Sequence, residues 1–519
     1  MPGPQLGRRS LSTRRKAREG EEAADAPAMQ VIVLGSGGGP LENNVTALLV
    51  RPVDAGWAKG SVVAVDAGVH LSAITRIFEQ TQPAGLGTTI DLPHTLESGP
   101  FAGLEIASAS PSDNAGYFSR NLVETYLITH PHLDHIAAFV INTSSLLGAR
   151  PKRVAGLPST IEAIKQNIFN NSIWPNLSDE NNGAGLITYM RLVEGGSPAL
   201  GEGEGKGYLE IGDGLSVKVF GVSHGHCLEN HPHRGSSSSS RFGSFDAPFG
   251  TSSRAHAHGS ASLSMPPSLR NSVASQDNMS TCVVDSSAYF IRDNATSREV
   301  LIFGDVEPDS ISLSPRNHGV WLEAAPRIAN GNLKAIFIEC SYDNSQTDDR
   351  LFGHLTPRYV IQEMKALAAA VEMVRHSPSK QDAAKKRKRL AEEVDRRADG
   401  WNHGLDDRPI SPKTTRPVKK RLSPAPVTEN GGIETPHIAT PTAEMSLGEY
   451  EVKTARVLQR PQSRNALEGL KVIIIHVKEK LVGGETARGT ILSQLQEGEE
   501  EAQLGCEFIV SSQGQSFYL

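Results

Sequence analysis

The chain has 519 residues, 38% of them apolar, and a formal net charge of −6. This length holds one large α/β domain with insertions or two or three smaller domains, and the modest apolar share places part of it outside any packed core. The charge gives no support to nucleic-acid binding, no apolar run approaches the ~20 residues of a membrane span, and the four scattered cysteines, Cys227, Cys282, Cys340 and Cys506, fit buried thiols in a reducing compartment.

In chain order, residues 1–28 read as a disordered leader. Arg8, Arg9, Arg14, Arg15, Lys16 and Arg18 are basic, but Glu21, Glu22 and Asp25 follow and no apolar helical face accompanies them, which argues against a transit peptide. Met29 directly precedes the first strand and is a candidate alternative start. Gln30–Leu34, Val45–Val50 and Ser61–Val65 are short β-rich runs, the last ending at Asp66. Gly35 to Gly39 form a tight turn between the first two; Pro40 spoils any match to a phosphate-binding GxGxxG. A helix is expected over Leu71–Gln80, a strand over Glu124–Thr129 and a helix over Ile136–Leu147. Ser216–Val222, Cys282–Asp285, Tyr289–Arg292, Val300–Phe303, Ala335–Ile338, Lys471–Ile475 and Phe508–Val510 read as strands, and Pro357–Ala370 as a helix.

Two stretches interrupt this pattern. Residues 229–280 are rich in Ser, His, Gly and Pro and read as a disordered insertion. Residues 376–463 are Pro-rich and charged, with basic runs at Lys385–Arg389 and Lys419–Arg421, and read as a second disordered insertion; the runs also fit a nuclear-localisation signal. What remains, residues 29–519 without the insertions, alternates strands and helices as one layered α/β catalytic domain.

The chemistry concentrates in His130-Pro131-His132-Leu133-Asp134-His135, four potential metal ligands in six residues directly after an apolar strand. Imidazole nitrogen and carboxylate oxygen suit zinc, manganese or iron. One loop cannot close two metal sites, so other segments must supply ligands. Three do: Ser216–Val222 leads into His224, Leu301–Gly304 into Asp305, and Val472–Ile475 into His476. His226, His231 and His233 lie near His224, which is preferred because it ends the apolar strand.

A strand ending in HxHxDH, followed by His, Asp and His at later strand ends, resembles the metallo-β-lactamase superfamily. The resemblance implies an αββα sandwich carrying two divalent ions, with zinc favoured. It assigns one metal to His130, His132 and His224, the second to Asp134, His135 and His476, and the bridge to Asp305. Asp66 matches the aspartate that orients a ligand histidine. Three stretches are similar to class II 3′,5′-cyclic-nucleotide phosphodiesterases: His132–Ile136 with Ala138 and Asn142, Phe169–Leu177, and Leu351–Pro357. They imply hydrolysis of cyclic AMP, and of cyclic GMP, to the 5′-monophosphate by a hydroxide held between the metals. Glu339 and His354 resemble the Glu–His pair of the related branch that matures transfer RNA, with His354 as proton donor; a helix-capping His354 is the structural alternative. Asn171 and Trp174 are candidates for the purine pocket, with a core anchor as the alternative for Trp174. Two other functions stay open: an RNA 3′-processing endonuclease of the same fold, and a non-catalytic binding protein. The resemblance also allows a homodimer. The expected location is cytoplasmic, with nuclear entry if the basic runs act as a signal.

Overall fold

The computed structural model describes residues 26–201, 203–227, 282–376, 464–481 and 486–519. Apart from His376, both expected insertions lie outside these residues, as does the leader up to residue 25. The leader boundary shifts slightly: Ala28 is buried and its N–H donates to the Leu519 carbonyl at 2.6 Å. Residues 375–462 form a second unit, of which Arg375 and His376 alone are described.

The first half contains β1 (Met29–Gly35), β2 (Ala47–Pro52), β3 (Val62–Val65), α1 (Leu71–Thr81), a ribbon of β4 (His94–Thr95) and β5 (Glu105–Ile106), α2 (Pro111–Asn121), β6 (Val123–Leu127), α3 (Leu133–Asn142), β7 (Lys152–Gly156), α4 (Pro158–Asn167) and β8 (Ile187–Arg191). The second half contains β9 (Leu209–Gly212), β10 (Leu215–Cys227), β11 (Cys282–Asp293), β12 (Glu299–Phe303), α5 (Asn317–Ala329), β13 (Leu333–Glu339), α6 (Pro357–His376), β14 (Lys471–Ile475), α7 (Ala487–Ala502), β15 (Glu507–Val510) and β16 (Ser516–Tyr518). Two seven-stranded sheets result, ordered β16-β1-β2-β3-β6-β7-β8 and β15-β14-β13-β12-β11-β10-β9.

Period-two alternation sorts each strand between two apolar layers. On β1, Met29, Val31 and Val33 pack between the sheets with Tyr289, Ile302 and Phe337, while Ile32 and Leu34 pack under the first sheet's helices with Ile74, Phe78 and Ile136. On β12, Leu301 and Phe303 face Trp321 and Met364, under the helices of the second sheet. Three packed layers between helices, two sheets and helices make the αββα sandwich expected from the sequence.

Local chemistry sets the helix ends. Ser110 caps α2 by accepting the Asp113 N–H at 3.3 Å, with Pro111 in the first turn, and Thr486 caps α7 through the Gly489 N–H. Two sequence expectations change. Cys282–Asp285 and Tyr289–Arg292 are one continuous strand, because Ser286 and Ser287 hold ladder positions opposite Val222 and Gly221. The helix expected over Ile136–Leu147 starts earlier, at Leu133, and gives way to a 3₁₀ turn at Thr143–Leu146.

Candidate active site

Parallel pairing assembles the site. β3 and β6 are parallel neighbours in one sheet, and β12, β13 and β14 are parallel neighbours in the other. Their C-terminal ends therefore line one edge of the sandwich, and the residues just past them are Asp66, His130, Asp305 and His476, with Glu339 ending β13. Asp66 and His476 take left-handed backbone conformations, φ 56° and 58°, which turn the chain sharply where each strand stops.

All seven expected metal ligands come together. His130, His132, His224 and Asp305 form one group and Asp134, His135, Asp305 and His476 another, with the donor atoms of each group within 4.8 Å of one another. Asp305 is common to both. Its Oδ2 lies 3.2 Å from His476 Nε2 and 3.6 Å from the Nε2 atoms of His130 and His224, and its Oδ1 lies 3.2 Å from His135 Nε2.

Four of the histidines are held in one tautomer by an oxygen behind the ring. His135 Nδ1 donates to Asp66 Oδ2 at 2.7 Å, and His224 Nδ1 donates to the Gly353 carbonyl at 2.9 Å. Thr129 Oγ1 donates to Asp66 Oδ2, so it accepts from His130 Nδ1 at 3.1 Å. Thr46 Oγ1 donates to the Gly37 carbonyl, so it accepts from His476 Nδ1 at 2.6 Å. In each ring the proton sits on Nδ1 and the Nε2 lone pair faces Asp305. The Nε2 atoms of His130, His135 and His476 are buried with no hydrogen-bond partner, as is Asp305 Oδ1. Buried polar atoms without partners are costly unless something else satisfies them. Converging lone pairs around one carboxylate, each backed by an oxygen, fit divalent metal ions.

Electrostatics agree. Burial, reinforced by neighbouring histidines, holds His130 and His476 well below the ordinary imidazole pKa, and burial takes His224 down to about 3. These rings stay neutral and available as ligands. Burial opposes charge on Asp305, but His135 and His476 outweigh it and hold the carboxyl well below its usual range. For His135 the balance tips the other way: burial is overcome by Asp305 and Asp66, and the pKa rises well above its usual value. A divalent cation and a proton compete for that one lone pair.

The expected Glu339–His354 pair is present. His354 Nδ1 donates to Glu339 Oε1 at 2.8 Å, and Glu339 is fixed by the Val306 N–H at 3.0 Å and the Ser341 hydroxyl at 2.6 Å. Burial disfavours a charged His354, yet the Glu339 carboxylate raises its pKa above the ordinary value. His354 also stacks 5.3 Å from His476, which places the pair at the rim of the metal-ligand group.

Asn171 and Trp174 are not brought to the cluster. Asn171 turns its loop, accepting the Asn176 N–H at 2.8 Å, and Trp174 donates its indole N–H to Thr143 at 3.2 Å and packs against the helix-side core. Neither lines the cavity over the histidines. For Trp174 the core-anchor reading is the one these contacts support.

Sequence reading missed several supporting groups. Thr46 and Thr129 orient ligand histidines but carry no motif of their own, and Gly353, within the Leu351–Pro357 stretch, was read for the resemblance and not for the carbonyl it offers His224. Gly38 was read only as part of a turn; a Cβ there would lie 2.6 Å from His476 Nε2, so glycine keeps the ligand face of that ring clear. Cys340 and Cys506 are buried and unpaired, as expected.

The profile of the family described as cAMP phosphodiesterases class-II matches residues 33–237, 253–380 and 450–514. The chain belongs to this family. Among class-II relatives, a 3′,5′-cyclic-nucleotide phosphodiesterase of Schizosaccharomyces pombe is 28% identical over 343 residues, 65% of this chain and 75% of the relative. One of Candida albicans is 26% identical over 377 residues, 66% of this chain and 82% of the relative. The crystal structure of unliganded yeast PDE1 superposes with a TM-score of 0.56 at 19% identity, covering 95% of this chain and 100% of that one, which shows the shared fold. No helix among the described residues is long and apolar enough to cross a membrane.

Proposed function

We propose that this protein hydrolyses 3′,5′-cyclic nucleotides, cyclic AMP and cyclic GMP, to 5′-monophosphates, and so damps cyclic-nucleotide signalling. The observation that carries the reading is the convergence of partnerless Nε2 atoms on Asp305 in a member of the class-II family. Two Zn²⁺ ions are the proposed occupants, one held by His130, His132, His224 and Asp305, the other by Asp134, His135, His476 and Asp305. Bound there, divalent ions supply Lewis acidity, lowering the pKa of water to about 7 and offsetting phosphate charge.

The chain's own residues do the rest. Asp66, Thr129, Thr46 and the Gly353 carbonyl hold the ligand rings so that no reorganisation accompanies turnover. Water adds to phosphorus, losing a proton to solvent, as the bond from phosphorus to the 3′ oxygen breaks. His354, whose protonated form Glu339 favours, donates a proton to the departing 3′ oxygen, and the 5′ ester stays intact. Residues 29–519, apart from the insertions at 229–280 and 376–463, act as one catalytic domain. The proposed location is the cytoplasm, with the basic runs at Lys385–Arg389 and Lys419–Arg421 as a candidate route into the nucleus.

The test is hydrolysis of both cyclic nucleotides by purified protein, as isolated, after chelation and after zinc is restored. Metal-dependent release of 5′-monophosphate is expected. No turnover by protein carrying about two metals per chain would move the substrate to another phosphodiester. Under the same assay His354→Gln lowers kcat by ~10²–10⁴-fold, the usual contribution of a general acid.

A further inference from the structure

The cluster opens to solvent on one side. His132, His224 and His354 line a cavity of about 530 Å³, and Ile311, Leu351 and Phe352 form apolar wall beside them. Phe352 is unusual twice over. It is 70% exposed, although phenylalanine is ordinarily interior, and its backbone is left-handed at φ 53°, a conformation that bulky residues rarely adopt.

The surroundings show that this presentation is built in. Leu351, immediately before, is buried in the core. Gly353, immediately after, has φ 80°, and a Cβ on it would sit 2.6 Å from the His224 carbonyl carbon. Its carbonyl accepts from His224 Nδ1 at 2.9 Å, and the His354 N–H donates back to the Leu351 carbonyl at 3.1 Å. Phe352 is therefore carried on a turn closed by its own backbone bond and pinned through Gly353 to His224. A strained backbone and an aromatic ring in water both oppose folding, and such features concentrate at ligand sites.

A cyclic nucleotide has three parts to place. The anionic phosphate matches the divalent ions that the histidine cluster would hold, and the ribose is polar. The base alone offers a flat π face, the surface that a phenyl ring without polar atoms can hold. We propose that Phe352 is the platform on which the nucleobase stacks. The proposal rests on the reading of the site as a cyclic-nucleotide phosphodiesterase and adds a specificity residue to it. Stacking is tolerant of base identity, so adenine and guanine are both accepted.

The experiment compares wild type with Phe352→Ala on cyclic AMP and on methyl ribofuranoside 3,5-cyclic phosphate, which has the cyclic ester but no base. The ratio of kcat/KM for cyclic AMP to that for the abasic ester is expected to fall about tenfold or more in the alanine variant, through KM, and Phe352→Tyr is expected to restore it. An unchanged ratio overturns the proposal. So does a fall that tracks a change in oligomeric mass, which would make Phe352 an interface residue. A second readout is independent of turnover. In Phe352→Trp, saturating 5′-AMP is expected to quench indole emission beyond the change seen in wild type. Quenching in a protein that hydrolyses no cyclic nucleotide would uphold the platform and defeat the activity. Absent quenching in an active protein would do the reverse.

Discussion

Two buried carboxylates sit at opposite ends of one strand, β12, and they teach what distinguishes a site from a scaffold. Glu299, at the start, is saturated: its Oε2 accepts from Tyr208 Oη at 2.7 Å and from Arg327 Nε at 2.8 Å, and Arg292 Nη1 lies 3.6 Å from Oε1. Asp305, just past the other end, is surrounded by imidazoles whose lone pairs face it, and its Oδ1 has no hydrogen-bond partner. Both side chains are almost fully buried. The first carboxylate has its charge answered by cations within the fold. The second is countered by imidazoles that are themselves ligand groups, and its Oδ1 is left for an ion to satisfy.

The largest expected effect follows from removing Asp305. Asp305→Ala should lower kcat/KM by ~10³-fold or more, since several kcal/mol of charge stabilisation depend on both metal sites. It should also lower bound metal, measured by elemental analysis, with folded-state circular dichroism retained. Glu299→Ala should do the opposite. It removes one of the two carboxylates bonded to Arg327, the other being Glu323 at 2.8 Å, and should lower unfolding free energy by ~1.5–3 kcal/mol, read by urea titration, while kcat per folded molecule is unchanged. If both variants lose activity and stability together, the contrast between the two ends is wrong.

Thr46→Val sharpens the contrast. It removes the oxygen behind His476 and the one bond that oxygen donates to the Gly37 carbonyl, and metal affinity should fall by ~10–100-fold, measured by competition with a chelator, with a loss of stability of about 1 kcal/mol. The smallest effect belongs to a third carboxylate, at the surface. Hydrogen bonds from Arg191 and Lys165 take Glu180 down to a pKa of about 2. The native value lies below the unfolded one, so the stabilisation is present above the unfolded pKa and is lost as pH falls through the native value. Water screens the group, and Glu180→Gln should cost under ~1 kcal/mol at pH 7. That difference should shrink in urea titrations as pH drops below 4.5, and a constant difference would remove the ionic account.

How much could be read beforehand depended on contiguity. His130, His132, Asp134 and His135 were legible because one turn after one apolar strand presents them all. His224, Asp305 and His476 were legible because each follows a short apolar run, and the superfamily resemblance joined them. Other elements hid for physical reasons. α5 carries Pro326 in its interior, which breaks the usual helical pattern. β7 and β8 carry Lys152, Arg153 and Arg191, so neither reads as a plain apolar strand; Lys152 is buried because its ammonium donates to the Arg120 and Val123 carbonyls. Trp174 beside Pro175 offered two readings that local sequence could not separate, and its bond to Thr143 supports the core anchor.

From the sequence by itself came the ligand types, their order along the chain and the family they belong to, because metal chemistry constrains residue identity and a strand end constrains position. The tertiary structure decided which oxygen stands behind each ring: Thr46 behind His476, 430 residues apart in sequence, Asp66 behind His135, and the Gly353 carbonyl behind His224. It also decided that Gly38 must lack a side chain and that Phe352 faces solvent. Those are through-space relations between distant segments, and no local pattern encodes a hydrogen bond whose partner arrives only when the chain folds.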